Sequence, residues 1–164
     1  MSIDEQLQTE LAIFEAAIGK ASDSIYGALI GHLYVEHLLD RYLKTKLPNE
    51  AKLFSENGLS FTNKLKLATG FGEIDPQLLD SLAKLNAIRN KCAHVFGHQI
   101  AQKQVEALGS TLGKDYKRIL GEYPEAEVGA IAPIIWAICG RVLRVALEAE
   151  AVHTKAQAKL APLP

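Results

Sequence analysis

The spacing of apolar residues is the feature that most restricts the fold of this 164-residue chain. Apolar side chains recur every three or four positions in nearly every long segment, and no segment keeps for long the two-residue alternation of a half-buried strand. With 48% hydrophobic and 23% charged residues, the chain is too apolar for a disordered protein. We therefore predict an all-α fold of about five to six helices, in one domain spanning residues 1–164.

Capping residues predict where the helices begin. Ser2 followed by Glu5 has the pattern of a capping box, Ser60 suits an N-cap, and Asp75 followed by Pro76 suits a cap and a first helical position. The predicted helices cover about 2–19, 22–46, 60–72, 76–94, 99–108 and a last span from Glu125 or Pro133 to Lys159, whose proline either starts or kinks it. For residues 109–124 we predict only one or two further helical turns.

Composition and charge exclude several classes of protein. The formal charge of −1 and the pI near 6.5 leave no global positive field, so any contact with nucleic acid must be local. Cys92 and Cys139 lack the spacing of a zinc site, and we predict that both are reduced core thiols. The N-terminus does not resemble a signal peptide, and the most apolar segment is shorter than the roughly 18 residues of a membrane span. We expect a cytoplasmic protein without membrane contact.

Metal and cofactor sites have little support in the sequence. His32 and His37 are five residues apart, off one helix face, and His94 and His98 would share a face only if their helix continued past Gly97. No H-E-x-x-H motif and no Gly-rich phosphate loop is present. We expect neither a metal nor a cofactor.

Two charged residues lie on apolar stripes of the predicted helices. Arg89 points in the same direction as Leu82 and Leu85, and Glu36 lies in line with Leu29 and Leu43. A buried charge without a partner costs several kcal/mol, so we expect either a contact between Glu36 and Arg89 or an arginine that extends its head to the solvent.

A second strip runs along the helix that carries Arg89. Asn86, Asn90 and His94 are spaced four apart, next to the small residues Ala83 and Ala87. Small and amide residues in a row suit the close approach of another helix, from the same chain or from a second copy. His94 suits a second role as well, because a cation at a helix C-terminus meets the negative end of the dipole.

The segment "RNKCAH", Arg89 to His94, resembles the R-x(4–6)-H signature of the HEPN (higher eukaryotes and prokaryotes nucleotide-binding) domain family, including a polar residue directly after the arginine. The order of "LFSENGLSFTNKLKLATGFGEID" and "LNAIRNKCAH" is similar to the mannitol-repressor-like branch of that group. The resemblance covers about residues 22–150 and is specific over about 60–97. It implies an up-and-down helical bundle that forms a homodimer, with two motifs facing one cleft.

The resemblance also implies a chemistry. Many members of the family are metal-independent endoribonucleases, often toxins or defence components with an antitoxin or regulatory partner. Carried onto this chain, His94 is the general acid or base, Arg89 holds the scissile phosphate, Asn90 orients one of the two, and Glu36 supports the guanidinium. Lys84 and Lys91 are the nearby cations that we expect to contact RNA.

Two features leave a different function open. Arg89 and His94 diverge by about 140° on an ideal helix, so they meet only if the helix loosens, if the arginine reaches around, or if two copies share one cleft. No dense run of basic residues flanks the motif. The alternative is a non-catalytic transcriptional regulator or interaction module similar to the mannitol-operon repressor, in which the same residues stabilise the dimer.

Overall fold

The computed structural model describes residues 2–18, 24–47, 58–122 and 131–160. Within these ranges the chain forms no strand and seven helices: α1 (Ile3–Ile18), α2 (Ser24–Lys44), α3 (Phe61–Phe71), α4 (Pro76–His94), α5 (Gln102–Ser110), α6 (Lys114–Glu122) and α7 (Ile131–Leu160). The predicted all-α helical bundle is confirmed. The predicted count of five to six helices is too low, because α6 is a full helix where the sequence predicted a turn or two.

Local side-chain chemistry explains the best-predicted helix ends. Glu5 N donates to Ser2 Oγ at 3.2 Å, and Ser2 N donates to Glu5 Oε2 at 2.7 Å, which completes the expected capping box of α1. Asp75 Oδ1 accepts from the backbone N–H of Gln77 at 2.7 Å, and Pro76 is the first residue of α4. The predicted bounds of α4 are confirmed at both ends. The predicted end of the first helix at 19 and the start of the second at 22 lie outside the described residues.

The boundaries of α5 and α7 were predicted less well. Helix α5 begins at Gln102, three residues after the predicted start, because Gln104 Oε1 accepts from the N–H of Ala101 at 3.0 Å and places the N-terminus there. Helix α7 is described from Ile131, so Pro133 lies within the described helix rather than at its first described residue. The alternative start at Glu125 lies outside the described residues.

Helix α2 lies at the centre of the fold and packs against α1, α3, α4 and α7. Its buried face contributes Leu38, Leu39 and Leu43 to one apolar core that includes residues of every described helix. Helix α3 contacts both α2 and α4. Residues at its N-terminal end, Ser60 to Thr62, line one pocket together with residues of α2 and α4.

The two cysteines differ in burial. Cys139 is buried while Cys92 is only partly buried, so the prediction of a core thiol is confirmed for Cys139 and too strong for Cys92. Burial raises the pKa of the Cys139 thiol well above its ordinary range. None of the helices in the described ranges is long and apolar enough to cross a membrane.

Candidate functional site

A pocket of about 260 Å³ opens where the N-terminal end of α3 meets α2 and α4. Helix α2 contributes one imidazole and one carboxylate, the start of α3 two hydroxyls and a phenyl ring, and α4 two amides and a guanidinium. The lining residues are His32, Glu36, Ser60, Phe61, Thr62, Asn86, Arg89 and Asn90. Three of the predicted site residues, Glu36, Arg89 and Asn90, therefore lie in one pocket.

Arg89 differs from the other arginines of the chain in its partners. It is half-buried and follows the buried residues Leu82 and Leu85 on the apolar face of α4, as predicted. Its Nη1 donates to Asn90 Oδ1 at 3.1 Å. Among the described residues no carboxylate lies within ion-pair distance of it. Each of the other four arginines is paired with at least one carboxylate, and these are Arg41, Arg118, Arg141 and Arg144. Within the described ranges, Arg89 is thus the one arginine whose guanidinium has no carboxylate partner.

The expected ion pair between Glu36 and Arg89 is not formed, because another cation takes the carboxylate. Lys64 of α3 is buried, and its Nζ lies 2.9 Å from Glu36 Oε1 and 2.8 Å from Asp40 Oδ1. Burial alone would lower the pKa of Lys64, but its hydrogen bonds to Asp40 and Glu36 outweigh burial, and the pKa is raised. Glu36 therefore lines the pocket with its charge partly compensated, because it shares the Lys64 cation with Asp40.

His32 ties the pocket to the core. The residue is 1% exposed, its ring lies 4.4 Å from the ring of Phe61, and its Nε2 lies 3.0 Å from Asn86 Oδ1. Its Nδ1 is buried and has no hydrogen-bond partner within the described part of the chain. Burial lowers the pKa of His32, against the opposing effects of the Asn86 hydrogen bond and the Glu36 charge. The imidazole is therefore neutral at neutral pH.

The remaining predicted site residues lie outside this pocket. His94 is the last residue of α4, is exposed, and is not among the pocket-lining residues. Lys91 is exposed, and Lys84 forms an ion pair with Asp80 one turn earlier. The apolar residue Phe96, which follows His94 closely, is fully exposed. In a single chain, the structure separates the histidine of the motif from the pocket that holds its arginine.

His32, Thr62 and Lys64 belong to this site but are not among the residues predicted from the sequence. The spacing of His32 from His37 argues only against a metal pair, whereas Glu36, four residues after His32, lies on the same helix face. Thr62 follows the predicted cap Ser60, so its place at a helix N-terminus was readable. Lys64 had no such signal, because its partners are 24 and 28 residues away in the chain.

A larger cavity of about 520 Å³ lies between α1, the start of α4, α6 and α7. Its lining is mostly apolar and includes Trp136. Its three arginines are each paired with a carboxylate: Arg118 with Glu122, Arg141 with Asp115 and Arg144 with Asp4. The described residues contain no group of three or more metal-ligating side chains.

Comparison of the chain with family models, curated proteins and solved structures gives no match.

Proposed function

We propose that this chain is a metal-independent endoribonuclease of the HEPN type, which cleaves RNA as a homodimer in the cytoplasm. The observation that carries the proposal is the environment of Arg89, a half-buried guanidinium that lines a polar pocket and has no carboxylate partner among the described residues. A guanidinium in such a setting is well suited to bind a phosphate with two parallel hydrogen bonds. Arg89 also holds the arginine position of the family motif that "RNKCAH" resembles.

In the proposed reaction, a ribose 2′-hydroxyl oxygen attacks the adjacent phosphorus, and the bond from phosphorus to the 5′ oxygen of the next nucleotide breaks. His94 accepts the hydroxyl proton or donates a proton to the leaving oxygen, and water carries the other of these two protons. Arg89 donates to the non-bridging oxygens, whose negative charge increases in the transition state, and Asn90 orients the guanidinium through its Oδ1. The products carry a 2′,3′-cyclic phosphate and a 5′-hydroxyl.

The dimer is needed because of the positions of the two motif residues. Arg89 lines the pocket, whereas His94 is exposed about 140° further around the helix axis. We propose that the His94 of one copy reaches the Arg89 pocket of the other, so that two equivalent sites form across a twofold axis. The exposed side chains of Val95 and Phe96 beside His94 support this arrangement, since they supply apolar surface for a contact between copies.

The other predicted site residues have supporting parts in this proposal. Lys91, exposed two residues after Arg89, contacts a neighbouring phosphate of the RNA, and Lys84 does the same after exchanging its bond with Asp80. Glu36 supports Arg89 only through the shared pocket wall, because its own ion pair is with Lys64. An antitoxin or regulatory protein is the partner that we expect to control the activity.

One observation favours a second function. Because His94 lies outside the Arg89 pocket in the single chain, the pocket is able to bind a ligand with no acid or base of the motif present. The alternative is therefore a non-catalytic transcriptional regulator or interaction module, similar to the mannitol-operon repressor, in which anion binding and dimerisation occur without cleavage.

The test is RNA cleavage in the presence of a chelator. The unmodified protein, Arg89→Ala and His94→Ala are incubated with total RNA, and fragments with 2′,3′-cyclic phosphate ends are quantified. His37→Ala, which removes an exposed histidine of α2, and Arg118→Ala, which removes an exposed arginine, are the matched controls. We expect cleavage by the unmodified protein and by both controls, and loss of at least about 100-fold in the two motif variants.

Mixing the two inactive variants tests the shared site. A mixed dimer of Arg89→Ala and His94→Ala has one site that lacks both groups and one that holds both, so random exchange restores roughly a quarter of the activity. A mixture that stays inactive would contradict a site shared between copies. Intact RNA with every protein, at concentrations where dimers are verified, would support the regulator instead.

A further inference from the structure

We propose that the cavity of about 520 Å³ between α1, α4, α6 and α7 binds a small amphipathic carboxylic acid, a molecule with an apolar body and one carboxylate. The carboxylate binds Arg141 and Arg144 of α7, and the body lies against Trp136 and the leucines of α1. The proposal goes beyond the nuclease, because this cavity shares no lining residue with the Arg89 pocket.

The apolar part of the cavity suits the body of such a ligand. Leu7 and Leu11 of α1 and Leu78 of α4 line it together with the indole of Trp136. Small-molecule sites usually enclose roughly 300–1,000 Å³ and are lined by apolar side chains with a few polar groups among them. The cavity therefore matches a small molecule both in its volume and in the chemistry of its lining.

Trp136 gives the apolar wall an aromatic surface. Its ring lies 5.5 Å from the ring of Phe14 at an interplanar angle of 16°, so Phe14 covers one face of the indole. Phe14 is buried and does not line the cavity, whereas Trp136 is only partly buried and does. The part of the indole that reaches the cavity is therefore available to a ligand, and an aromatic body would add a ring contact to simple burial.

Two guanidinium groups line the polar part of the cavity and retain unused donors. Arg141 and Arg144 are three residues apart on α7, so their side chains leave the same side of the helix. Arg141 donates only through Nη2, to Leu112 O at 3.1 Å and to Asp115 Oδ2 at 2.7 Å. Arg144 also donates only through Nη2, to Asp4 Oδ1 at 2.9 Å. In the described part of the chain, the Nε–H and Nη1–H donors of both arginines have no acceptor, and the two oxygens of one carboxylate can accept from both.

The present partners of the two arginines indicate which anion suits them. Both partners are aspartate carboxylates, and the side chains of Asp115 and Asp4 are 45% and 76% exposed. Ion pairs with so much solvent access contribute little to stability, so a ligand carboxylate can share or replace them at small cost. A group of the same chemistry as the aspartates is therefore the anion that we assign to the cavity.

The acidic side chains of the lining do not prevent an anion from binding. Asp75 is engaged at the start of α4, where its Oδ1 accepts from the N–H groups of Gln77 and Leu78. The lining contains three arginines and two aspartates, which leaves a net charge of +1 before a ligand enters. One negative charge on the ligand balances this excess, whereas a neutral molecule with the same body does not.

The experiment uses Trp136 as the reporter, since it is the one tryptophan of the chain. The full chain is titrated with 4-phenylbutyrate at neutral pH and constant ionic strength, and the emission of Trp136 is recorded. The matched ligand is 4-phenylbutanamide, which has the same body without the charge. We expect a saturable change with the acid and an affinity lower by roughly tenfold or more with the amide. Equal affinities, or no saturable change with the acid, would overturn the proposal.

The contribution of the arginines is tested by one variant in the cavity and one outside it. Arg144→Gln removes the guanidinium with the more exposed ion pair, and we expect the affinity for 4-phenylbutyrate to fall by roughly tenfold. Arg89→Gln removes a guanidinium from the other pocket and should leave the affinity unchanged. An equal change of affinity in the two variants would show that the acid does not bind at α7.

Gly140 allows the cavity to be filled without weakening the fold. It lines the cavity, and a Cβ atom added there would lie 3.8 Å from Leu11 Cδ1, an ordinary contact distance. Gly140→Ala should raise the thermal stability through its better helix propensity, and Gly140→Leu introduces a larger side chain at the same place. We expect the affinity for 4-phenylbutyrate to fall slightly in Gly140→Ala and by roughly tenfold in Gly140→Leu, with circular dichroism verifying that both are folded. Full affinity in a folded Gly140→Leu would place the acid elsewhere and reject the site.

Two further measurements identify the occupant. Octanoate, an aliphatic acid, is compared with 4-phenylbutyrate, and the tighter ligand shows whether the natural body is aliphatic or aromatic, with either result supporting a carboxylic acid site. Dilution of the ligand-free chain is monitored by the same emission. A change of Trp136 emission on dilution, without saturable binding of either acid, would show that a second copy covers the cavity and would refute the proposal.

Discussion

His32 Nε2 and Asn86 Oδ1 lie 3.0 Å apart and join α2 to α4 between residues that are 54 positions apart in the sequence. The imidazole is 1% exposed, and the charged groups that act on it are Glu36, Arg89 and Lys64. Because burial is the largest effect and disfavours the charged ring, the folded chain holds this histidine neutral at a pH where the unfolded chain protonates it.

This difference predicts that acid destabilises the fold through His32. Its pKa in the folded chain is lower than the ordinary 6.5, so its contribution is fully present above about pH 6.5 and is lost as the pH falls through the folded value. We expect the free energy of unfolding in urea to decrease from pH 7.5 to pH 5, with a smaller slope in His32→Gln. The same slope in both proteins would show that another group is responsible.

Removing the charge of Lys64 is expected to lower the free energy of unfolding, because its two carboxylate partners lose their cation. Replacing it by methionine leaves Glu36 and Asp40, each about a quarter exposed, without their shared cation. Because a fully buried broken pair costs about 3–5 kcal/mol and these carboxylates are partly solvated, we expect a loss of about 1–3 kcal/mol in the free energy of unfolding.

The control for Lys64 is on the same helix. Lys66 is exposed, and Lys66→Met should change stability by less than about 0.5 kcal/mol. Adding Glu36→Gln to Lys64→Met should recover part of the loss, because only one uncompensated carboxylate then remains. Equal effects of the two lysine substitutions would contradict a structural ion pair at Lys64.

The helices α2 and α7 pack closely at Gly31, which leaves no room for a side chain there. A Cβ atom at this position would overlap Cγ2 of Ile135, a buried side chain whose branched Cβ restricts its rotamers. We expect Gly31→Ala to lower the free energy of unfolding by about 1–3 kcal/mol despite its better helix propensity. Gly27→Ala, one turn earlier with no atom within 4 Å of the added carbon, should stabilise by about 0.5–1 kcal/mol. Thermal unfolding of the two variants, compared with the unmodified chain, gives the signs.

The hydrogen bonds of Arg41 are expected to hold α1 to the rest of the bundle. Its Nε lies 2.8 Å from Glu150 Oε1 of α7, and its Nη2 lies 3.2 Å from Glu10 Oε1 of α1. Arg41→Met should lower stability by about 1–2 kcal/mol and accelerate amide hydrogen exchange in α1, because one partly buried guanidinium joins three helices.

A more exposed ion pair to the same helix provides the comparison. Arg144 pairs with Asp4 of α1, but the two side chains are 48% and 76% exposed. Arg144→Met should therefore change stability by no more than about 1 kcal/mol. A larger loss of stability in Arg144→Met than in Arg41→Met would mean that the exposed Arg144–Asp4 pair, and not Arg41, holds α1 in place.

Helix ends were predictable where a few neighbouring residues carry the whole signal. The capping box of Ser2 and Glu5, the cap at Ser60, and the pair Asp75 and Pro76 act within one helical turn, so they could be read without knowing any other part of the fold. The start of α5 was missed because its N-cap is an alanine, whose side chain cannot accept a capping hydrogen bond. The full length of α6 was missed because the helix has only nine residues, over which few repeats of the apolar pattern can be read.

The candidate site divides along the same line. Arg89 and Asn90 are neighbours on one helix and contact each other, so both could be selected from the sequence. The spacing of the apolar residues was also sufficient to place Arg89 on the buried face of that helix. The pairing of Glu36 with Lys64 instead of Arg89, and of His32 with Asn86, depends on where α3 and α4 cross α2. Residues 28 and 54 positions apart meet only through that packing, and helical periodicity describes which face of each helix is apolar but not which polar residues of two faces come into register.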